Sequence, residues 1–367
     1  MKNQFPPGRL LSLDAYRGIT MFLLIAEGAL VYGAITEYFP LESTGAAIMT
    51  QFHHHPWNGL RFWDLIQPFF MFIVGVAMPF SLASRERKGA TWNQSFLHIL
   101  RRCFLLLCFG VGLHWVYNGR PVWELWCVLT QLSFTILLTF LILKWDWKKQ
   151  LTVAFACLVL TEVLYRLYDP AAPFVKDQNF GSWLDMILMG KINDGGGWVT
   201  VNCLPTAAHT IWGAICGKLL MSSVPEQSKI RWLALAGAAG LALGYGLDFA
   251  GITPIIKRIA TSSFTLASGG WAILMLGFFY WLVDVRKVRR WTVFFAIIGA
   301  NSIFIYLFCE TIGHQWLTGF GRIFGNGILE PLGVSAGLAS IVSAFITLGM
   351  MWYLCYFLYK KRIFFKV

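Results

Sequence analysis

Charged residues are scarce in this sequence of 367 amino acids. They make up 13% of the chain, whereas soluble domains carry about 25%. Acidic residues are the rarest, with 18 Asp and Glu against 30 Lys and Arg. Hydrophobic residues reach 57%, and apolar runs of about 20 residues recur along the whole length. This composition excludes an ordinary soluble domain and predicts a protein that crosses a membrane many times.

Paired cysteine motifs and internal repeats are also missing. The eight cysteines show no CxxC spacing, so we expect reduced thiols among apolar side chains and neither a disulfide framework nor a metal site. No cleavable signal pattern precedes the first apolar run, which is itself long enough to span a bilayer. No fixed-period repeat or low-complexity tract is visible.

The apolar runs predict about ten transmembrane helices in an all-α, polytopic membrane protein. They cover approximately residues 16–36, 63–83, 98–118, 123–144, 151–168, 200–221, 232–250, 265–284, 292–311 and 332–358. Most of the 30 Lys and Arg residues fall on the side that holds the two termini, so the positive-inside rule predicts both termini in the cytoplasm. The same rule explains the positive net charge without a nucleic-acid partner. We expect a single domain over residues 1–367, and the long external loop 169–199 leaves two helical bundles as an alternative.

Polar and aromatic side chains are concentrated in residues 52–75, FHHHPWNGLRFWDLIQPFFMFIVG. Three consecutive histidines form a poor metal site because neighbouring side chains diverge, whereas structural zinc ligands are separated. One histidine acting as a base is the more plausible interpretation. Asp64 begins the second predicted helix and is close enough in sequence to orient such an imidazole.

Further polar residues lie within predicted spans, where burying an unpaired charge is costly. Glu27 lies about three turns into the first helix, and is therefore protonated, hydrogen-bonded to another helix or lining a cavity. Pro205 is expected to interrupt the sixth helix near His209. Asn301 either joins helices or donates its amide to a reacting carbonyl, and Glu310 follows it on the same helix.

Three stretches resemble one known family. Residues 9–19, RLLSLDAYRGI, resemble the R-x-x-S-x-D-x-x-R-G opening of the heparan-α-glucosaminide N-acetyltransferase family. Residues 54–75 are similar to its long H-x-x-W-N-G-L-x-x-x-D-L-x-x-P-x-F-x-F-x-x-G signature, and residues 299–310 to its G-x-N-S-I-x-x-Y…E helix. One departure is Cys309, which stands where a family member has histidine.

The resemblance implies a transmembrane acyltransferase. Such a protein moves acetyl from cytosolic acetyl-CoA to the amine of a glucosamine-like sugar on the far side of the membrane. His54 would be the active-site histidine, held by Asp64, with Asn58 or Asn301 donating to the oxyanion. The sugar site would include Trp57, Glu27, His209 and Glu310, and the phosphates of CoA would bind cations among Arg17, Arg101, Arg102, Arg286 and Arg290. These cations otherwise serve only to set topology. The resemblance also favours a homodimer in a bacterial inner membrane.

Two other functions remain open from the sequence. A proton-coupled amino-sugar transporter would use Glu27 as its coupling site, although the missing repeat disfavours it. A non-enzymatic membrane scaffold would leave the histidine signature unexplained. Dependence on acetyl-CoA separates the acyltransferase from both.

Overall fold

The computed structural model describes residues 10–40 and 42–365, so Arg9 of the 9–19 motif lies outside them. The described residues form α-helices joined by loops and short turns. The α-helices, in chain order, are α1 (Leu11–Gly28), α2 (Val31–Tyr38), α3 (Thr44–Thr50), α4 (Ile66–Arg87), α5 (Trp92–Asn118), α6 (Val128–Leu141), α7 (Trp147–Tyr168), α8 (Phe180–Met189), α9 (Cys203–Met221), α10 (Glu226–Phe249), α11 (Ser262–Phe279), α12 (Thr292–Gly299), α13 (Ser302–Phe308), α14 (Thr318–Phe324), α15 (Asn326–Leu329) and α16 (Ala336–Lys360). Short 3₁₀ turns precede α4 and α9, and π-helical turns extend α11 and α13.

Several of these helices are long and apolar enough to cross a membrane. Within the described ranges there are six: 62–87, 92–118, 147–168, 226–249, 262–285 and 336–360. Two bent pairs raise the number to eight if each pair is one span. The first pair is α1 with α2, bent by 62°, and the second is α12 with the helical stretch from α13 to α15, bent by 72°. These lengths and compositions are those of a multi-pass membrane protein.

The ten predicted spans include two that do not meet this criterion. α6 has 14 residues, a length of about 21 Å, whereas the hydrocarbon core of a bilayer is about 30 Å thick. α9 has 19 residues and is buried along most of its length. The all-helical, multi-pass class is confirmed, whereas the number ten and the cytoplasmic termini stay predictions.

The chain forms two compact units. Of the described residues, unit 1 comprises 10–40, 42–49 and 275–365, and unit 2 comprises 50–274. The second boundary therefore falls within α11, and neither boundary falls in the 169–199 loop. The single domain proposed from the sequence stays a prediction.

α9 is the centre of unit 2, where it packs against α4, α6 and α7. Glycines let α4 and α9 approach at backbone distance. A Cβ added at Gly75 would lie 2.0 Å from the carbonyl oxygen of Thr210, and one at Gly213 would lie 2.2 Å from that of Phe72. Small residues at such contacts are typical of helix packing in membranes. Pro205 lies in the first turn of α9, where the missing N–H costs no hydrogen bond, so the predicted interruption of this helix was wrong.

Unit 1 is organised around three helix contacts: α1 packs against α12, and α16 packs against both α2 and α14. Both bent pairs belong to this unit. The first bend occurs at Leu30, whose φ is +64°, a left-handed conformation that interrupts the helical hydrogen bonds. The second occurs at Asn301, between α12 and α13. Neither break was expected from the uninterrupted apolar runs.

Candidate active site in unit 2

The loop between α3 and α4 closes on itself at its base. The backbone N–H of Trp63 donates to the carbonyl of Gln51 at 2.9 Å, and the N–H of Phe62 donates to the Gln51 side chain at 3.3 Å. Near the loop tip Gly59 has φ of +138°, and a Cβ there would lie 2.6 Å from the His55 ring. A glycine is therefore required at this point of the Trp-Asn-Gly motif.

The carboxylate of Asp64 holds this loop from inside. Its Oδ2 accepts the backbone N–H of Arg61 at 3.0 Å and that of His55 at 3.2 Å. Its Oδ1 lies 3.0 Å from Nδ1 of His54. Asp64 is fully buried, and a buried carboxylate is tolerated when its oxygens are hydrogen-bonded in this way. The pairing of His54 with Asp64 that the spacing suggested is present in the structure.

A second loop brings Lys257 to the same pair. Its Nζ lies 3.1 Å from Nδ1 of His54 and 3.6 Å from Oδ1 of Asp64. Lys257 is 7% exposed. It was not predicted as a site residue from the sequence, because it lies 203 residues from His54.

Hydroxyl groups fix the turn that carries Lys257. Thr261 donates its hydroxyl to the carbonyl of Pro254 at 2.7 Å and accepts the N–H of Ile256 at 3.0 Å. The turn is also tied to the histidine loop, because the N–H of Gly59 donates to the carbonyl of Ile255 at 2.8 Å. The hydrogen bond between the two loops therefore keeps Lys257 next to His54.

Trp198 forms one wall of the site. Its ring meets the His54 ring edge-on at 5.9 Å between centroids. The Lys257 ammonium lies 5.4 Å from the centre of the indole, and the Arg258 guanidinium lies 5.7 Å from it. Arg258 is anchored in turn by a hydrogen bond to the carbonyl of Gly196. Two cations on one indole are the cation–π contacts that tryptophan favours.

Whether Nδ1 of His54 carries a proton depends on its two neighbours, Asp64 and Lys257. A single ring nitrogen either carries a proton and donates to Asp64, or has a lone pair and accepts from the Lys257 ammonium. The first arrangement satisfies the carboxylate and leaves the lone pair on Nε2, with Lys257 paired to Asp64. Among the described residues, none hydrogen-bonds with Nε2, and the His54 side chain is 37% exposed. Nε2 is therefore the ring nitrogen available for chemistry.

Burial and the charge of Lys257 lower the pKa of His54. They bring it from 6.5 to about 4, against the opposing effect of Asp64. The imidazole is consequently neutral at pH 7, the state that a base or a nucleophile requires.

The other predicted site residues of unit 2 lie at different places. Asn58 is exposed at the loop tip, where its backbone pairs with Ile256 in an isolated bridge. The indole N–H of Trp57 donates to the carbonyl of Phe174 at 3.1 Å. His209 is fully buried in α9, and its Nε2 lies 2.9 Å from the hydroxyl of Ser268.

Glu27, Asn301 and Glu310 belong to unit 1. Glu27 is exposed in the last turn of α1. It lies within the first helix as predicted, but the continuous helix expected beyond it is bent by 62° after Gly28. The amide of Asn301 is engaged by the chain end, since it donates to the carbonyl of Ile363 at 3.0 Å and accepts the N–H of Phe365 at 2.9 Å. Glu310 is partly buried in the turn that follows α13.

The predicted CoA-binding cations are divided between the units: Arg101 and Arg102 lie on α5 in unit 2, and Arg17, Arg286 and Arg290 lie in unit 1. Arg101, Arg286 and Arg290 are exposed, whereas Arg102 and Arg17 are partly buried. In the part of the chain that the structure describes, no cluster of three His, Cys, Asp or Glu residues could hold a metal ion.

A second cluster of similar composition occurs elsewhere in unit 2. Nδ1 of His114 lies 2.6 Å from Glu124, and Nζ of Lys191 lies 2.5 Å from the other oxygen of that carboxylate. Trp126 meets the His114 ring edge-on at 6.2 Å. The two clusters differ at the lysine: Lys191 contacts the carboxylate and the Trp126 indole, at 6.0 Å from its centre, whereas Lys257 also approaches the imidazole.

Comparison with known proteins relates the whole chain to one kind of enzyme. The chain is 23% identical to the protein named heparan-alpha-glucosaminide N-acetyltransferase of Mus musculus over 429 aligned residues, which include 98% of this chain. It is also 23% identical to the Homo sapiens protein of that name over 435 residues. In both cases the chain spans about 60% of the relative's length.

A family model described as a domain of unknown function, DUF5009, matches residues 9–218. The match contains His54 and Asp64 and ends before Lys257. Because it covers more than half of the sequence, this chain belongs to the DUF5009 family.

Proposed function

We propose that this chain is a transmembrane N-acetyltransferase that moves acetyl from acetyl-CoA to the amine of a glucosamine-like sugar. The observation that carries the proposal is the His54–Asp64 pair, in which Nδ1 of the imidazole lies 3.0 Å from a buried carboxylate. The printed name of the mouse and human relatives supports the choice of reaction.

The pair supplies what thioester aminolysis needs. The amine nitrogen attacks the acetyl carbon, and Nε2 of His54 takes the proton that the amine loses. The C–N bond forms, the C–S bond breaks, and the proton passes from Nε2 to the sulfur of CoA. Asp64 keeps the other ring nitrogen protonated and the ring in position. An alternative route stores the acetyl group on Nε2 between two half-reactions, and labelled protein in a single turnover without acceptor would distinguish it.

Asn58 is the oxyanion donor that we favour. Its side chain is exposed four residues from His54 in the same loop, so its amide is open to a carbonyl oxygen. Asn301 is the weaker choice, because the backbone of Ile363 and Phe365 already engages its amide. A preorganised donor at the developing oxyanion is worth about 3–4 kcal/mol.

The proposed topology has ten spans, with α6 and α9 as the two shorter ones, and both termini in the cytoplasm of a bacterial cell. Acetyl-CoA would then bind from inside, with its phosphates on cations drawn from Arg17, Arg101, Arg102, Arg286 and Arg290. Glu27, Trp57, His209 and Glu310 stay proposals for the sugar site, and a homodimer stays a proposal for the assembly.

The transporter gains no support from the geometry. Its coupling carboxylate was to be Glu27 within a continuous first span, whereas Glu27 is exposed in the last turn of α1, next to a bend.

The test is transfer of labelled acetyl from acetyl-CoA to glucosamine by the purified protein. We expect product from the wild type and loss of at least about 10³-fold in His54→Ala, because the base and its orientation are both removed. His53→Ala is the matched control and should keep activity. Equal product from wild type and His54→Ala would move the chemistry away from His54. Absence of both product and acetyl-CoA binding in the wild type would overturn the acetyltransferase.

A further inference from the structure

Lys257 has no role in the mechanism above, although its ammonium lies beside the ring of the proposed base. Its Nζ is 3.1 Å from Nδ1 of His54, closer than its 3.6 Å distance from the Asp64 carboxylate. It is 7% exposed and lies on a turn that hydroxyl groups hold rigid. A buried lysine in such a position is not explained by topology, because it lies in a loop that the positive-inside rule assigns to the outer side.

We propose that Lys257 is a positioning residue of the His54 site. The Lys257 ammonium is the counter-ion of the Asp64 carboxylate, and it thereby disfavours a positive charge on His54. The role in catalysis rests on the proposed acetyltransferase function, whereas the effect on His54 does not.

The charge balance of the site gives Lys257 this role. In a lone His–Asp pair the carboxylate stabilises the imidazolium, and the histidine is protonated more readily. Here Lys257 supplies a second positive charge within hydrogen-bonding distance of the ring. The carboxylate can be balanced by one cation, and Lys257, with its much higher intrinsic affinity for a proton, is that cation. His54 is left to donate from Nδ1 as a neutral ring.

Arg258 lowers the pKa of His54 as Lys257 does, whereas Asp64 opposes both. The groups that face it are Asp64, Lys257, the Arg61 guanidinium on the His54 carbonyl at 2.9 Å, and Arg258 across Trp198. Three of these four are cations, so a protonated His54 would bring a further positive charge into an already positive site. This agrees with the low pKa of His54.

The consequence for transfer is a fast second proton step. When Nε2 takes a proton from the attacking amine, the imidazolium faces Lys257 and is a stronger acid than an ordinary imidazolium. It therefore passes the proton readily to the sulfur as the C–S bond breaks. A His–Asp pair without the lysine would hold that proton longer.

The test is to measure protonation of His54 directly, by NMR of the full-length protein with labelled histidine in detergent micelles. In the wild type we expect His54 to titrate near pH 4, with Nδ1 as the protonated nitrogen of the neutral ring. In Lys257→Met we expect His54 to titrate at a clearly higher pH than in the wild type, because burial still lowers its pKa but the opposing effect of Asp64 is no longer offset by the lysine. Lys257→Arg should stay close to the wild type because it keeps the charge.

Lys191→Met is the matched control. It removes the lysine of the second cluster and should leave the His54 titration unchanged. If Lys257→Met does not fold, Lys257→Gln removes the charge and keeps a hydrogen-bonding group, and the same shift is expected. Titration of His54 near pH 4 in a folded Lys257 variant without the charge would overturn the proposal.

Activity gives a separate readout. In Lys257→Met, the acid limb of the profile of kcat/KM against pH should shift to higher pH, as the NMR titration of His54 does. If the NMR shift occurs in a protein that transfers no acetyl group even as wild type, the acetyltransferase fails and the effect of Lys257 on His54 stands. If transfer occurs and neither the profile nor the titration moves, the role of Lys257 fails and the enzyme stands.

Discussion

Replacing Asp64 by asparagine should invert the tautomer of His54. Oδ2 of Asp64 accepts two backbone N–H groups, at 3.0 and 3.2 Å, so the amide oxygen of the introduced side chain is expected at that position. The NH₂ group then occupies the position of Oδ1, 3.0 Å from Nδ1 of His54. A donor there requires a lone pair on Nδ1, and the ring proton moves to Nε2, which can no longer accept a proton.

The size of the effect follows from this inversion. A carboxylate-to-amide change that traps the wrong tautomer in a histidine-based catalytic site lowers kcat by about 10⁴, equivalent to about 5 kcal/mol of barrier. Stability should fall as well, because Lys257 loses its carboxylate partner. Breaking a buried pair costs about 3–5 kcal/mol, and we expect the lower end because the His54 side of the site is 37% exposed.

Glu124→Gln is the control for the loss of stability. It makes the same chemical change in the cluster of His114 and Lys191, whose contacts with Glu124 are 2.6 and 2.5 Å. Both variants should unfold at lower temperature than the wild type, but Glu124→Gln should keep its kcat. The assays are acetyl transfer to glucosamine and thermal unfolding in the same detergent. A folded Asp64→Asn protein with kcat within about tenfold of the wild type, far from the expected loss, would refute the orienting role of Asp64.

Two further outcomes concern stability. Gly213→Ala should destabilise the protein by about 1–3 kcal/mol in thermal unfolding, because its Cβ would lie 2.2 Å from the carbonyl oxygen of Phe72. Gly112→Ala is the control: its Cβ has nothing within 4 Å, so it should be neutral or stabilising in the same experiment. The second outcome is a loss of wild-type stability as pH falls from 6.5 to 4, since unfolded His54 binds a proton near its ordinary pKa of 6.5 and folded His54 only near 4. The slope of unfolding free energy against pH should be smaller in His54→Gln, and an unchanged slope would contradict the low pKa.

The centre of the site could be predicted from the sequence because it is local. His54 and Asp64 lie in one loop, and the short separation between them, with a glycine at Gly59, lets the chain return. Lys257 could not be predicted in the same way, since 203 residues separate it from His54. The available signal was a pair of cations, Lys257 and Arg258, in a loop where the topology rule expects few.

The helix breaks of unit 1 were missed for a different reason. Apolar composition records which residues suit the hydrocarbon core and carries no information on single backbone conformations. Leu30 takes a φ of +64° within an apolar run, and Asn301 ends α12 while its amide binds the chain end. Glu27 consequently ends a helix that hydropathy had continued past it. α9 shows the opposite error, because Pro205 falls in its first turn and does not interrupt it.

Asp64 also determines how genetic data on this loop should be understood. The same carboxylate binds two backbone N–H groups of the loop, orients a ring and balances a lysine. In a saturation screen for growth or activity, every substitution of Asp64 would therefore score as null for at least two independent reasons. Such a screen would not separate loop folding from chemistry at Asp64. Substitutions of His54, whose side chain contributes fewer bonds to the loop, would report on the chemistry more directly.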